Sequence, residues 1–429
     1  MPEVEQFTRF QLRPLGKPRP TRIYSVANGL NSACMYYRLV TPFKTAEDLG
    51  LADYKIDDQD TLDKNAIIDW ALKSQAHVYY LLLDKLLIKR MRMLRKQAPI
   101  WDRRRKILYP TPVSIWDADD DLECVDPMNP KFCTLGTHHV DGTPLGKGDR
   151  IMLKPDPTVD KALPQWVDGR VYRGQKFDIT DNWKRLHLYF AMIREADGIT
   201  VTNEHLAKTM RAIGGRRVYV FPNSIRFQDY PEIDLRRNER QVKILWQGGW
   251  SHYRDWYPLA DALGRVAERY RHARFIFWGM DYPSIMKTIP ATQREHIGWM
   301  PHDAYILKLS TIGHDINLCP LADNKFNRAK SAIKWYEASA LKPPVCTLAQ
   351  ANGPYTEIQD RKTGLLFTTP EEFEARLSEL IESAALRQEL AENAQTWVRE
   401  NRAAEVTVPG LLNFYRQVSQ EARDERAQA

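Results

Sequence analysis

The chain has 429 residues, 43% of them apolar and 27% charged, with a formal charge of +7 and a sequence pI near 9.0. That length exceeds one usual core and implies two domains of about 200 residues each, and the composition excludes wholesale disorder and a membrane bundle. The basic excess favours phosphate-bearing partners, whether nucleotides, nucleic acid or anionic lipid heads, without choosing among them.

From the N-terminus, MPEVEQFTRF lacks the basic and apolar blocks of a signal peptide, and the longest apolar run, around residues 78–83, is too short to span a bilayer. The expected location is cytoplasmic. Five scattered cysteines without CxxC spacing suit a reducing compartment and imply no disulfide framework.

In the first half, RIYSVAN (22–28), HVYYLLL (77–83), ILYPTPVSIWD (107–117) and DGITVT (197–202) read as strands of a Rossmann-like domain. After the first of them, Asn28 and Gly29 form a loop and Arg38 lies on the following helix; a plain βα turn and an acceptor-binding loop are equal readings there. DKLLIKRMRMLRK (84–96) predicts a helix with Lys85, Lys89, Arg92 and Lys96 on one stripe and Leu83, Leu87, Met91 and Leu94 opposite; WDRRRK (101–106) extends the charge. Such a ridge binds DNA phosphates or anionic lipid heads, or is simply solvated.

SIWDADDDLE (114–123) sets Asp117, Asp119, Asp120 and Asp121 at a strand end. Close carboxylates suit Mg²⁺ or Mn²⁺, as in the DxD motif of GT-A glycosyltransferases, but an acceptor-side or general-base role and a capped, solvated loop are the alternatives. The spacing of His138, His139 and Asp141 relative to Cys124 and Cys133 is too irregular for a zinc site. Residues 125–184 lose the pattern and read as an insertion, and the polar SIRFQDYPEIDLRRNER (224–240) reads as an interdomain linker beside a cleft.

In the second half VKILWQ (242–247), ARFIFWG (273–279), HIGWM (296–300), HDINLCP (314–320) and PPVCTL (343–348) alternate with helical segments, which predicts a parallel sheet. Gly248 and Gly249, in GGWSHYRD, would let backbone approach a phosphate. FNRAKSAIKWYEASA (326–340) predicts one helix capped by Asn327, with Arg328 and Lys330 in its first turn. Lys330, Lys334 and Glu337 share one face, beside an apolar stripe of Ala329, Ile333, Tyr336 and Ala340. A solvated face with a Lys334–Glu337 ion pair would account for the pattern, but the helix directly follows a strand, where parallel sheets bind ligands. Free N–H groups and Lys330 would then hold a diphosphate, and Glu337 the ribose hydroxyls.

The run 297–367, with VTNEHLAKTM (201–210), VFPNSI (220–225) and KILWQGGWSHYRD (243–255), resembles the donor-binding part of group 1, family 4-like glycosyltransferases of GT-B fold. The resemblance implies an α/β chain of two Rossmann-like domains facing a cleft. The N-terminal acceptor domain would span 1–222 with its irregular insertion at 125–184, the linker 223–240, the donor domain 241–408, and a helix with polar tail 409–429. It gives Glu337 the donor ribose and makes Gly248, Gly249, Lys330, Ser331 and Lys334 further donor-site residues. His252, Arg254 and Lys330 would neutralise the leaving diphosphate, although their spacing departs from the family's usual Arg and Lys pair. The family's second glutamate would stand at position 329, where this chain has Ala329.

On the acceptor side the expected residues are Asn28, Gly29, Arg38, Asp117, Lys89 and Arg92, with Asp119 as catalytic base. The implied reaction is hexosyl transfer from a nucleotide-sugar such as UDP-glucose to a hydroxyl, with retention, no cofactor, no metal and no obligate protein partner. The aspartate-rich segment and the insertion resemble glycosyltransferases of bacteriophage genomes, which together with the basic ridge points first to hydroxymethylpyrimidine in DNA as acceptor. Lipid-linked, polysaccharide or protein acceptors are the alternatives, with a membrane surface less favoured than DNA as partner. A non-catalytic nucleic-acid-binding protein on a degenerate GT-B fold is the contrasting class.

Overall fold

The computed structural model describes residues 21–27, 32–58, 70, 73–80, 83, 85–97, 99–102, 107–109, 111–139, 143–146, 171–172, 175–234 and 241–428. It divides into two compact units, one of Met1–Asp119, Leu188–Pro222 and Ala404–Ala429, the other of Asp120–His187 and Asn223–Ala403. No helix among the described residues is long and apolar enough to cross a membrane.

In the first unit six parallel strands, β1 (Thr21–Ala27), β2 (Ala52–Asp58), β3 (Ala76–Tyr80), β4 (Val113–Ala118), β5 (Gly198–Val201) and β6 (Val218–Val220), run in the order β6-β5-β4-β3-β1-β2. All but β2 lie within or beside the expected runs; β2, ADYKIDD, is a polar edge strand without an apolar signature. The run 107–117 is two elements: Ile107–Tyr109 pairs antiparallel with Ile100–Asp102, and only β4 enters the sheet. Pro112 stands between them, immediately before β4, since proline cannot donate to a central ladder. The last helix, Ala404–Gln428, starts five residues before Pro409 and buries Val408, Leu411, Leu412, Phe414 and Val418 against this core.

Polar groups are sealed inside this sheet as well. Arg38, in a π-helical turn, donates from Nε and Nη2 to the two carboxylate oxygens of Asp117 at 2.8 and 2.6 Å, and from Nη1 to the carbonyl of Phe221. Both residues are buried, at 1% and 2% exposure, and Thr200 Oγ1 donates to Asp117 at 2.5 Å. Burial disfavours the guanidinium charge, but Asp117 more than offsets it and keeps Arg38 firmly protonated.

The second unit carries β7 (Val242–Gly248), β8 (Ala273–Gly279), β9 (Arg294–Gly298), β10 (Ile316–Cys319), β11 (Cys346–Gln350) and β12 (Leu365–Phe367), all parallel, in the order β9-β8-β7-β10-β11-β12. Trp246, Trp256, Phe277, Leu318 and Phe373 belong to one apolar core beneath them. Burying each such side chain is worth about 1.5–3 kcal/mol, which explains why the strands read as continuous apolar runs. Two helices follow β12, Pro370–Glu382 and Ala384–Arg402; Ser383 ends the first and caps the second by accepting the N–H of Leu386.

Replacing Asp117 by alanine strands a buried guanidinium, so Asp117→Ala is expected to lower stability by about 3–5 kcal/mol in urea unfolding, beyond the median surface ion pair.

Candidate functional site

Strand order in the second sheet reverses between β7 and β10, and open parallel sheets bind ligands at the carboxyl ends of their strands at such a point. Gly248 ends β7 there. A Cβ on it would stand 2.5 Å from the Trp246 ring and 2.9 Å from His252, so glycine makes room for the imidazole; a Cβ on Gly249 would meet nothing within 4 Å, while its carbonyl accepts from Tyr282 Oη at 2.6 Å. His252 Nδ1 is 2.6 Å from Asp255 Oδ2, and its Nε2 is 3.4 Å from Lys334 Nζ. Burial, and then the Lys334 ammonium, push His252 down to about 4 despite Asp255, which leaves the ring neutral at pH 7. Burial also lowers Lys334.

Two helices, not one, follow β10. Lys325–Arg328 is capped by Asn324, which accepts the Asn327 N–H at 2.8 Å, and Ile333–Ala340 begins after Ala332 with no side-chain cap. Asn327 is therefore not the expected cap; its Nδ2 donates to Asp255 Oδ1 at 2.8 Å and to the Ala322 carbonyl at 2.9 Å. Lys330 and Ser331 lie in the break between the helices, because Asn324 starts the first turn early and Ala332, at ψ 30°, leaves helical geometry. Ser331 Oγ accepts from Asn223 Nδ2 at 2.8 Å. Ala329 is fully buried.

Glu337 stands on Ile333–Ala340, one turn beyond Lys334, and is 3% exposed. It accepts from Tyr305 Oη at 2.9 Å and Gln247 Nε2 at 3.4 Å, the first from helix His302–Ile312 and the second from the end of β7. Burial and the Glu337 charge hold the Tyr305 phenol well above its usual range, so it stays a donor. Glu337 is thus engaged inside the unit rather than on a solvated stripe.

Three carboxylates at and just before the start of the expected insertion lie on four cations of this unit. Asp120 is 3.2 Å from Lys330 and 3.5 Å from Lys131, Asp126 is 2.6 Å from Arg254, and Glu123 is 3.8 Å from Lys325. Burial alone would raise Asp120, but Lys330 and Lys131 hold it at about 2. The remaining aspartates are engaged separately: Asp119 accepts from Tyr80 Oη at 2.6 Å and Asp121 from the Glu123 N–H at 3.2 Å. Among the described residues one group has metal-ligand proximity, Asp121, Glu123 and Cys124. Burial and Asp121 push the Cys124 thiol up to about 12, so it is a poor ligand. His138, His139 and Cys133 do not join it, and Asp141 lies outside the described residues.

Of the residues expected on the acceptor side, Arg38 and Asp117 form the internal pair of the first unit. Lys89 is exposed on helix Lys85–Arg95, while Arg92, also exposed, donates to Glu195. Asn28 and Gly29 lie outside the described residues, as do 103–106 of the extended ridge. Sequence reading passed over Asp255, Tyr305 and Gln247. Asp255 had a signal, an acid three residues after a histidine; the other two had none.

Solved structures match both sheets at once. Sucrose-phosphate synthase of Thermosynechococcus elongatus aligns with a TM-score of 0.56 at 10% identity, over 93% of this chain and 99% of that one. A glycosyltransferase of Rickettsia africae gives 0.59 at 10% identity, over 94% and 99%. HepE of Anabaena, in complex with UDP and glucose, gives 0.54 at 10% identity, over 95% and 100%. The fold is GT-B. No family model matches the chain, and no curated protein matches it by sequence. In GT-B terms β7 to β12 form the second Rossmann-like sheet, with the site at its switch point.

A histidine at about 4 in the folded chain, against the usual 6.5 unfolded, binds its proton more readily when unfolded. Its contribution therefore falls as pH drops from 6.5 to 4, by up to about 1.4 kcal/mol per pH unit. His252→Asn is expected to flatten that part of the stability profile, measured by urea unfolding at several pH values.

Proposed function

We propose that the protein is a glycosyltransferase that takes a nucleotide-sugar donor at the β7–β10 switch point and transfers the sugar to a hydroxyl. The observation that carries this reading is Glu337, a buried carboxylate one turn beyond Lys334, at an uncapped helix start. Solved HepE is complexed with UDP-glucose, which supports a donor of that class. Glu337 accepts the ribose hydroxyls, exchanging them for Tyr305 and Gln247. Lys330, Lys334 and Arg254, with the N–H groups at the start of Ile333–Ala340, receive the diphosphate. Ser331 and the open backbone at Gly249 line the same place, and Asp120 marks where an anion sits on Lys330.

In the reaction the bond from the anomeric carbon to phosphate breaks, the phosphate keeps the electron pair, and the acceptor oxygen bonds to that carbon on the same face. The departing phosphate takes the acceptor proton, so configuration is retained without an enzymic nucleophile or metal. The cations stabilise the charge that develops on it. Asp119 is our candidate for the acceptor side.

Hydroxymethylpyrimidine in DNA is the first acceptor, on the strength of the exposed Lys85, Lys89 and Lys96. A lipid-linked acceptor is the second reading, favoured by Leu86 and Met93, which are 68% and 71% exposed among those lysines. Labelled nucleotide sugars with hydroxymethylated DNA, unmodified DNA and lipid extracts distinguish them; transfer to lipid alone, or no salt dependence with DNA, removes the DNA acceptor. Absence of transfer and hydrolysis with every common donor would contradict the enzyme reading. Glu337→Gln keeps the side-chain shape and is expected to lower kcat/KM for the donor roughly 10- to 100-fold, the value of a charged hydrogen bond.

A further inference from the structure

Asp255 is 2% exposed and spends both oxygens. Oδ1 accepts the Ala322 N–H at 2.9 Å and Asn327 Nδ2 at 2.8 Å, and Oδ2 faces His252 Nδ1 at 2.6 Å. A carboxylate only accepts, so the neutral imidazole must carry its proton on Nδ1. Nε2 is then a lone pair, and the group in front of it is the Lys334 ammonium at 3.4 Å. The Trp246 ring, with its centroid 5.5 Å from Lys334 Nζ, faces the same ammonium.

We infer that Asp255 is a positioning residue of the donor site: through the Nδ1–H tautomer of His252 it aims the Lys334 ammonium at the donor's phosphates. This rests on the donor reading given above. A lysine is a flexible point charge, and holding it in place before the ligand arrives removes part of the entropy lost on binding. A carboxylate placed directly on Lys334 would orient it but compete with the phosphate, as Asp120 does on Lys330. The imidazole between Asp255 and Lys334 passes on the orientation without cancelling the charge. Asparagine at 255 reverses the arrangement. The donors at Ala322 and Asn327 claim its carbonyl, its NH₂ faces Nδ1, and the proton moves to Nε2, against the ammonium.

Histidine ¹⁵N NMR of the full chain is expected to show His252 protonated on Nδ1, and on Nε2 in Asp255→Asn. UDP binding, by calorimetry, is expected to weaken roughly tenfold in Asp255→Asn, but less than about twofold when Lys334 is already alanine. His252→Asn keeps a donor for Asp255 but is too short to place an acceptor where Nε2 stood, so it should lose affinity equally while its melting temperature stays near wild type. An Nε2-protonated His252 in the wild type, or an Asp255→Asn loss undiminished by Lys334→Ala, would overturn the inference while leaving the donor reading standing. A wild-type protein that binds none of UDP, GDP and ADP would overturn both.

Discussion

One buried carboxylate joins the three segments that meet at the switch point. Asp255 holds the loop after β7 through His252, the loop after β10 through Ala322, and helix Lys325–Arg328 through Asn327. Gly248 ends a strand, Lys330 lies between two helices and Lys334 begins the second, and Asp255 ties the segments that carry them to one another. The cost of burying the charge is offset by the three hydrogen bonds it accepts.

Around that centre, charge is balanced rather than free. Lys330, Arg254 and Lys325 each face a carboxylate of residues 120–126, and Lys334 faces a neutral imidazole. An anionic ligand thus meets one cation without a competing carboxylate and three that must exchange one. On the donor reading proposed above, that asymmetry would favour a multiply charged group such as a diphosphate over a single carboxylate. Of the aspartate-rich motif only Asp120 takes part in this balance; Asp117, Asp119 and Asp121 point to three other partners, Arg38, Tyr80 and the Glu123 N–H.

Most of the fold was legible because parallel strands buried on both faces leave apolar runs. In the two six-stranded sheets the strands that escaped are edges: β2 is polar, and β12, three residues long, is too brief to show a period. Helix starts were harder. Two asparagines three apart, Asn324 and Asn327, are equally good caps by composition, and only the contact of Asn327 with Asp255, 72 residues away, decides between them. Glu337, Lys330 and Lys334 stood out by position after a strand and by family resemblance. Asp120 acts through a partner 210 residues distant in the chain and Asp255 through partners 67 and 72 residues away, so periodicity could not reveal their roles.

The central claim is that a nucleoside diphosphate sugar binds at the β7–β10 switch point with its ribose on Glu337. A crystal structure of the complex with a UDP-sugar tests it most directly. The account predicts ribose hydroxyls within hydrogen-bond distance of Glu337 and the diphosphate between Lys330 and Lys334, with Asp120 released from Lys330. A nucleotide bound elsewhere, with Glu337 still holding Tyr305 and Gln247, would contradict it.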